Sequence, residues 1–481
     1  MVPGTLDDWQ YRLSLKAQPG AVSVGKFWLV TGSGLNAWRV KDAKGQDAGV
    51  VLGYPIDLAA AKVLDGEWQA SATLGDDVDG FARKVLWSLG GRFLWIFATG
   101  SIARIYPDCS AQVPCVWDAQ DQMAGSSAHA LLDDASYAER FDQALYAHLG
   151  IDGEGWFPAG LTAHKGINRL LPSHFLDLQT WSATRFWPSS AISPTSDPSA
   201  VVDEMIALIR AQMQAVIQSP MRLGLALTAG HETRMLLACA RPMLDDIDMI
   251  TVVGEDRHTT DTVTARRIVR DFGLRHIELP RLNATDAQRD LFIRRGAHCN
   301  ADTNSRFHPS VWPVADTHVF MGGLGGEVGR AFFWRATDRP DTRITADLLT
   351  ARFGLPNTPA LTQLLEKWLA ELPPMDAFGI LDQAYLEHRN GPWYAVQFCA
   401  DPTLIRQAPI FTLRGVELML SLPPDWKRQS RLGHEIILRL WPELMKYPFN
   451  SLGPWRDAMV KLQRVAQNPR IVVKKLRKML R

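Results

Sequence analysis

A strand-to-helix turn within residues 221–240 constrains the fold of this chain more than any other stretch. Met221 to Leu227 is a mostly apolar run of the length expected for a buried strand. The small residues Thr228 to Gly230 follow it, and from His231 the apolar residues recur at helical spacing. Such a turn presents unpaired backbone N–H groups at a helix N-terminus, where a phosphate can bind. An ordinary turn of an α/β sheet remains the alternative on this stretch alone.

The same alternation of strand and helix continues along the chain. It predicts strands at Ile247 to Gly254, His276 to Leu279 and His318 to Met321, and a helix from Thr260 to Phe272 that ends at Gly273. Alternating strands and helices indicate a parallel, doubly wound sheet. Ligands bind such sheets at the carboxyl ends of the strands, and the glycine-rich run from Gly322 to Arg330 follows the last strand directly. A ligand site is therefore expected where the two small-residue turns meet.

The flanking parts of the chain differ from this central part. Residues 24–190 are rich in short strand-like runs, with one helix predicted over Ser136 to Leu149 and a closing hairpin from Phe175-Leu-Asp-Leu178 and Arg185-Phe-Trp187. Turn-forming residues 188–197 are predicted to be a linker, and Asp197 with Pro198 predicts the start of a helix. Residues 343–445 show a mostly helical pattern.

Composition places the chain among ordinary globular proteins of two or three domains. It has 481 residues and a formal charge of +1, which gives no overall case for nucleic-acid binding. Its five scattered cysteines predict reduced, mostly buried thiols, and no signal peptide or membrane-spanning run is found, so a cytoplasmic location is expected. The basic, apolar tail 454–481 could lie on an anionic membrane or dock on its own domain, and we weigh these two equally.

The order of these pieces resembles the asparagine synthetase family. Short N-terminal segments match family turns and strand ends, namely Gly91-Arg-Phe93, Tyr106-x-Asp108, Ser126-Ser127 and Gly166 to Pro172. Thr228-Ala-Gly-His-Glu-Thr233 matches the SGGxDS loop, and Gly323-Leu-Gly-Gly-Glu-Val328 matches the GxGGDE turn. The resemblance implies a glutaminase-type, Ntn-hydrolase-like sandwich over 1–187, the linker 188–197, an ATP-pyrophosphatase domain over 198–453 and the tail 454–481.

The resemblance also implies a site for ATP and Mg²⁺. The residues that would contact the nucleotide are Thr228, Ala229, Gly230, Thr233, Arg234, Val253, Gly254, Gly323 and Gly325. The residues that would hold the metal are Glu232 and Glu327, which stand where the family has aspartates. Acidic Asp261 follows the second strand of this domain, as in the family.

The chain departs from the family pattern at the catalytic groups. Val2 stands in place of the nucleophilic cysteine, so glutamine hydrolysis is not expected. Glu435 stands in place of the catalytic lysine, where a carboxylate would repel the charge that builds on the phosphates. Lys427, Arg431 and His434 are the nearby residues that could supply a cation instead.

Two functions are compatible with these residues. The first is an ATP-dependent ligase that adenylates a carboxylate and forms an amide with ammonia or an amine. The second is a catalytically degenerate nucleotide-binding or scaffold protein in polysaccharide or peptide assembly. The expected partners are a nucleotide and a carboxylate or amine substrate, with peripheral membrane contact through the basic tail and no nucleic acid. The oligomeric state is left open.

Overall fold

The computed structural model describes residues 6–153, 155–299, 303–401 and 403–450, apart from the side chains of 303, 396, 397 and 399. Its first part contains fourteen strands, all of them before residue 186. They are β1 Tyr11–Ser14, β2 Val22–Val24, β3 Phe27–Thr31, β4 Ala37–Lys41, β5 Asp47–Asp57, β6 Lys62–Val63, β7 Trp68–Gln69, β8 Leu89–Thr99, β9 Ile102–Pro107, β10 Val116–Asp118, β11 Met123–Gly125, β12 Ile167–Arg169, β13 His174–Asp177 and β14 Ser182–Arg185.

These strands form two sheets that pack face to face. The six-stranded sheet has the order β12-β10-β11-β1-β3-β2, and the eight-stranded sheet has the order β14-β13-β9-β8-β5-β4-β7 with β6 beside β5. All neighbouring strands are antiparallel except β4 and β7. The core between the sheets alternates along each strand, as expected for a sandwich, and includes Tyr11, Leu13, Phe27 and Leu29 from one sheet and Val50, Leu52, Leu94 and Ile96 from the other.

The second part of the chain contains the predicted parallel sheet. Its strands are β15 Arg222–Ala226, β16 Ile247–Val253, β17 His276–Pro280, β18 His318–Met321 and β19 Arg406–Gln407. They are all parallel and stand in the order β17-β16-β15-β18-β19. The chain therefore runs outward from β15 in one direction and then returns to the other side of β15, which makes a topological switch point between β15 and β18.

The first part of the chain also contains the helices α1 Val78–Ser88, α2 Ala128–Leu131, α3 Asp134–Arg140 and α4 Gln143–His148. The helices of the second part are α5 Pro198–Ile217, α6 His231–Ala240, α7 Thr260–Phe272, α8 Asp286–Arg295, α9 Thr303–Phe307, α10 Ala346–Phe353, α11 Pro359–Ala370, α12 Ala377–Ala384, α13 Gly391–Ala400, α14 Leu413–Leu420, α15 Pro424–Arg428 and α16 Arg431–Leu440. Five 3-10 segments and one π-helix complete the order, at Ile151–Gly153, Arg241–Asp246, His308–Val314, Gly326–Arg330, Tyr385–Asn390 (the π-helix) and Pro442–Lys446.

Both faces of the parallel sheet are buried. Leu223, Leu225 and Met249 belong to a core that also contains residues of α5, α6 and α7. Ile250 and Leu279 point to the opposite face, where the 3-10 segment His308–Val314 covers them. The larger core extends to the outer face of the eight-stranded sheet, so the antiparallel and parallel parts of the chain share one continuous apolar core.

Most predicted elements are confirmed, and one helix is wrong. The predicted helix Thr260–Phe272 and the predicted strand His318–Met321 have the predicted bounds. The single helix predicted over 136–149 is instead two helices, α3 and α4. Asp142 breaks it, because its carboxylate accepts a hydrogen bond from the Leu145 N–H and so caps α4.

The connection between the two parts begins after β14 and ends at α5. Residues 186–197 contain no helix or strand, and Asp197 caps α5 through the N–H groups of Ser199 and Ala200. The predicted domain limits themselves stay a prediction. Val2 and the tail 454–481 lie outside the described residues.

Two bulk expectations can be compared with the described residues. Cys109, Cys115, Cys239 and Cys299 are buried and unpaired with one another, as predicted. Within the described ranges, each helix is too short or too polar to traverse a lipid bilayer.

Candidate functional site

The loop between β15 and α6 is folded by its own short side chains. Gly230 is the N-cap of α6, and its N–H donates to Thr228 Oγ1 at 3.0 Å. The hydroxyls of Thr228 and Thr233 bond at 2.9 Å, and the Ala229 N–H donates to Asp261 Oδ1 at 2.9 Å. The amides of the first turn of α6 have no acceptor within the helix, as at any helix N-terminus. The loop is therefore a rigid turn with amide donors and the positive end of a helix dipole.

The second glycine-rich turn lies directly against this loop. A Cβ atom added to Gly323 would lie 2.5 Å from Glu232 Cβ, and one added to Gly326 would lie 2.5 Å from Glu232 Cγ. At Gly323 a Cβ atom would also approach the backbone of Glu232 and Thr233, whereas at Gly326 it would meet the Glu232 side chain. Since the turns follow β15 and β18, they meet at the carboxyl ends of the strands that flank the switch point. The predicted convergence of the two turns is confirmed.

Three charged side chains meet between these turns. Arg330 Nη2 lies 2.8 Å from Glu232 Oε1 and 3.2 Å from Glu327 Oε1. The other oxygen of Glu327 accepts the Gly325 N–H at 3.2 Å. Burial, reinforced by the nearby Glu327 charge, raises the pKa of Glu232 above its usual value, while Arg330 opposes this rise. The two carboxylates predicted to hold a metal therefore lie together, with a guanidinium between them.

The fit of these residues to Mg²⁺ is incomplete. Within the described part of the chain, no three His, Cys, Asp or Glu side chains are grouped so that they could hold a metal ion. Two carboxylates could hold Mg²⁺ together with substrate phosphates, as in many nucleotide sites. In this structure, however, both carboxylates are ion-paired to the same nitrogen of Arg330. The predicted metal role of Glu232 and Glu327 stays a prediction.

Arg234 has a structural role in this arrangement. Its guanidinium is fully buried and donates to the carbonyl oxygens of Tyr447 at 2.7 Å and Pro448 at 2.9 Å. It also lies over the ring of Phe449, 4.0 Å from the centroid. Burial lowers its pKa to about 10. Its predicted contact with a phosphate stays a prediction, because these bonds direct the side chain to residues 447–450.

Residues 447–450 lie across the loop. The Asn450 N–H donates to the Ala229 carbonyl at 3.0 Å, and Phe449 stacks on His231 at 4.1 Å between centroids. His434 meets His231 edge-on at 4.6 Å. Burial and the charges of neighbouring residues lower the pKa of His231 to about 4, and burial lowers that of His434. Both imidazoles are therefore neutral at pH 7 and can act as hydrogen-bond donors.

The other candidate residues of the C-terminal helices are directed elsewhere. Lys427 is 4% exposed, and its ammonium donates to Asp382 Oδ2 at 2.7 Å and to the Leu420 carbonyl at 2.9 Å. Arg431 and Glu435 pair with each other at 3.3 Å on α16 and are partly exposed. Of the four predicted catalytic residues, His434 has a ring contact with His231, the first residue of the helix after the loop. Their catalytic roles stay predictions.

The carboxyl end of β16 lies beside that of β15, because the two strands are paired in parallel. The Val253 carbonyl accepts the Arg281 N–H at 2.8 Å, and a Cβ added to Gly254 would meet only Arg281, at 3.7 Å. Arg281 stacks on Phe307, 3.7 Å from the ring centroid. An open glycine beside a guanidinium and an aromatic ring is compatible with the predicted nucleotide contact, which stays a prediction.

Sequence analysis missed two residues of this cluster. Arg330 is three residues after Glu327 in the glycine-rich run, so a helical turn there would have placed them on one face. Tyr385 begins the π-helix Tyr385–Asn390, a rare form that is frequent at functional sites. Its ring packs on Phe332 and Phe333, which follow Arg330 closely in sequence, and burial raises the pKa of its phenol well above normal. The sequence did not indicate this residue, because Tyr385 lies far along the chain from both Glu232 and Glu327.

Comparison with known proteins gives little further information. No protein-family model and no curated protein matches the chain. Similar solved structures include an NH3-dependent NAD synthetase from Campylobacter jejuni (11% identity, 41% of this chain and 96% of that one, TM-score 0.21). Another is an NMN synthetase from Francisella tularensis (11% identity, 49% of this chain and 95% of that one, TM-score 0.19). A third is a U34-tRNA thiolase from Methanococcus maripaludis (10% identity, 53% of this chain and 84% of that one, TM-score 0.20). Similarity at this level assigns the chain to no family and provides no functional evidence.

Proposed function

We propose that this protein binds ATP at the Thr228–Thr233 loop and uses it as an amide-forming ligase. The observation that supports this proposal is the meeting of the two glycine-containing turns at the switch point of the parallel sheet. The loop offers backbone amides at the N-terminus of α6, which suit the phosphates of a nucleotide. The sequence resemblance to asparagine synthetases supplies the reaction class.

The proposed reaction proceeds in two steps. A substrate carboxylate attacks the α-phosphorus of ATP, so that an acyl-adenylate forms and pyrophosphate leaves. Ammonia or an amine then attacks the acyl carbon, and AMP leaves as the amide forms. Negative charge builds on the phosphates in the first step, and the amides of α6, Arg330, His231 and His434 are the donors that surround this crevice. Mg²⁺, when bound with ATP, would screen the same charge.

The nitrogen donor is proposed to be free ammonia or an amine-bearing substrate. The sequence has Val2 where the family has its glutaminase nucleophile. The antiparallel sandwich is then a degenerate, Ntn-hydrolase-like domain that supports the second part through their shared core.

A second function, a degenerate nucleotide-binding or scaffold protein, is favoured by one specific observation. Lys427, the lysine of the C-terminal helices nearest to Glu435 in sequence, is committed to a buried ion pair with Asp382. Glu435 itself pairs with Arg431. If no other cation replaces the lysine of the family at the α-phosphate, the site would bind ATP without activating a carboxylate.

A charge placed at the helix N-cap tests nucleotide binding. Gly230 has ordinary extended dihedral angles, and a Cβ there would lie 3.1 Å from Thr228 Oγ1. Aspartate and asparagine are both good N-caps, so Gly230→Asp and Gly230→Asn should fold equally well. Only Gly230→Asp puts a negative charge beside the phosphates. In calorimetric titrations, we expect Gly230→Asp to bind ATP at least about tenfold more weakly than Gly230→Asn. Equal affinities would contradict a phosphate site at this loop.

Pyrophosphate exchange separates the two functions. A protein that adenylates a carboxylate incorporates labelled pyrophosphate into ATP when the correct acid is present. We expect exchange with a carboxylate from a panel of amino acids, sugar acids and peptides, and its loss in Gly230→Asp. ATP binding without exchange across the panel would favour the scaffold function.

A further inference from the structure

We infer that Arg330 is the resident cation of this site and takes the position between Glu232 and Glu327 that a divalent metal would otherwise hold. This inference rests on the proposed nucleotide site but concerns its electrostatic design. Arg330 stands outside the residues that match the family motifs. A site with this resident cation accepts ATP without requiring a metal bound by the protein.

The geometry of the three side chains carries the inference. One nitrogen, Arg330 Nη2, lies within ion-pair distance of both carboxylates, at 2.8 Å from Glu232 and 3.2 Å from Glu327. The side chains of Glu232 and Glu327 are 16% and 21% exposed, so solvent screens this cluster only partly. A guanidinium has a fixed planar fork of donors and keeps its charge at all physiological pH values. Its single positive charge therefore faces both carboxylates permanently.

The surrounding backbone holds Arg330 in this place. Glu327 and Arg330 belong to one short 3-10 segment, Gly326–Arg330, which sets them on the same side. Glu232 comes from the other turn, and its side chain lies close to Gly323 and Gly326, where an added Cβ atom would lie 2.5 Å from it. The three side chains therefore meet where the two turns pack together.

A divalent metal that bridged the same carboxylates would compete directly with Arg330. Mg²⁺ requires near-ideal octahedral oxygen coordination and loses its waters reluctantly. In this site it would also face a guanidinium that shares its two ligands, and the two cations would repel each other at close range. Arg330 and a bridging metal therefore exclude one another, and removing the guanidinium should create a metal site.

Metal binding in the absence of nucleotide tests this directly. We would titrate the full-length protein with Mn²⁺ and count bound metal by electron paramagnetic resonance. Wild type should show no Mn²⁺ site at the carboxylates, and Arg330→Gln should gain one that the additional change Glu327→Gln removes. Arg330→Lys keeps the charge and should gain none. A matched control, Arg414→Gln, breaks a bidentate pair with Glu204 on another face and should also gain none.

Thermal stability gives a second measure of whether a metal ion can replace the Arg330 guanidinium. Removing the guanidinium leaves Glu232 and Glu327 in mutual repulsion, so Arg330→Gln should lower the melting temperature by about 2 to 4 °C. Mn²⁺ should restore the melting temperature of Arg330→Gln and leave that of Arg414→Gln unchanged. A tight Mn²⁺ site in wild type, or no new site in a folded Arg330→Gln protein, would overturn the inference.

Nucleotide binding completes the test. With EDTA present, wild type should bind ATP within about threefold of its affinity with Mg²⁺, whereas Arg330→Gln should lose about tenfold in EDTA and recover with Mg²⁺. A wild type that needs Mg²⁺ for binding would contradict the inference but not the proposed function. A wild type that binds no ATP under either condition would contradict the proposed function, while the Mn²⁺ titration would still decide the role of Arg330.

Discussion

Replacing Lys427 by methionine separates a structural role of this lysine from a catalytic one. The ammonium is buried with Asp382, whose carboxylate also accepts the Trp334 indole N–H at 2.8 Å. Methionine fills a similar volume but leaves Asp382 without a counter-charge. Burial raises the pKa of Asp382, and Lys427 opposes this rise, so the lone carboxyl should become protonated in the folded Lys427→Met protein.

The cost follows from the proton that Asp382 must then bind. Keeping an aspartic acid with an ordinary pKa of about 3.9 neutral at pH 7 costs about 4 kcal/mol, at about 1.4 kcal/mol for each pH unit. This loss of about 4 kcal/mol lies within the range of about 3–5 kcal/mol that is typical when one partner of a buried ion pair is removed. The folded variant binds a proton that the unfolded chain releases, so its deficit relative to wild type should shrink as the pH falls, to about 1.5 kcal/mol at pH 5.

Urea unfolding at pH 7 and pH 5, followed by tryptophan fluorescence, measures both deficits. The double variant Lys427→Met with Asp382→Asn has no charge to neutralise and should recover most of the loss, with no remaining pH dependence from this pair. If Lys427→Met unfolds within about 0.5 kcal/mol of wild type yet loses ATP binding, Lys427 acts on the nucleotide and the structural explanation is refuted.

Three further perturbations test other parts of the structure. Gly326→Ala places a methyl group 2.5 Å from Glu232 Cγ and should lower the free energy of unfolding by about 1–3 kcal/mol. The control Gly433→Ala, whose Cβ would meet only a methionine sulfur at 3.9 Å, should be neutral or stabilising. Thermal melts compare the two variants. Arg234→Met removes the bonds that hold the segment after Tyr447 and should expose it to limited proteolysis, which an unchanged digest would contradict. Burial lowers the pKa of His388 to about 3, so the unfolded chain binds a proton there that the folded chain does not. Stability should therefore fall as the pH drops below 6.5. His231 has the same sign of shift, so His388→Asn should reduce the slope in urea titrations by about 1.4 kcal/mol per pH unit rather than remove it.

The local structure of the site could be predicted because it depends on neighbouring residues. The strand before Thr228, the turn at Gly230 and the helix after it are specified by apolar period and small residues within one stretch of chain. The closeness of the two turns could also be predicted, since parallel strands bring their carboxyl ends to one edge. The same reasoning failed at Asp142, where a capping carboxylate overrode a continuous helical period.

The assignment of charges could not be predicted in the same way. Lys427 was a candidate cation because it lies near Glu435 in sequence, but its side chain folds onto Asp382 from a separate helix. Arg234 was a candidate phosphate contact because it lies just after the loop, but carbonyls more than two hundred positions away accept its hydrogen bonds. A motif fixes where a residue lies along the backbone, and only the packed fold determines which partner its side chain reaches.

The charges at this site also bear on which proposed function can operate. Adenylation needs a cation at the α-phosphate at the moment when negative charge builds there. Lys427 is paired with Asp382 and Arg431 with Glu435, whereas the neutral imidazole of His434 packs on His231 at the start of α6. Arg330 is the charged group that stands between the two turns, and its charge is shared by two carboxylates.

Two cases follow for Arg330. If a bound nucleotide draws Arg330 from Glu327 onto its phosphates, the chain has a cation for ligase chemistry. If the two carboxylates hold Arg330 in place, the same fold can bind ATP but cannot stabilise the transition state. Pyrophosphate exchange by Glu327→Gln, in which Arg330 has one competitor fewer, distinguishes these two cases: faster exchange than wild type indicates the first, and absent exchange in both proteins indicates the second.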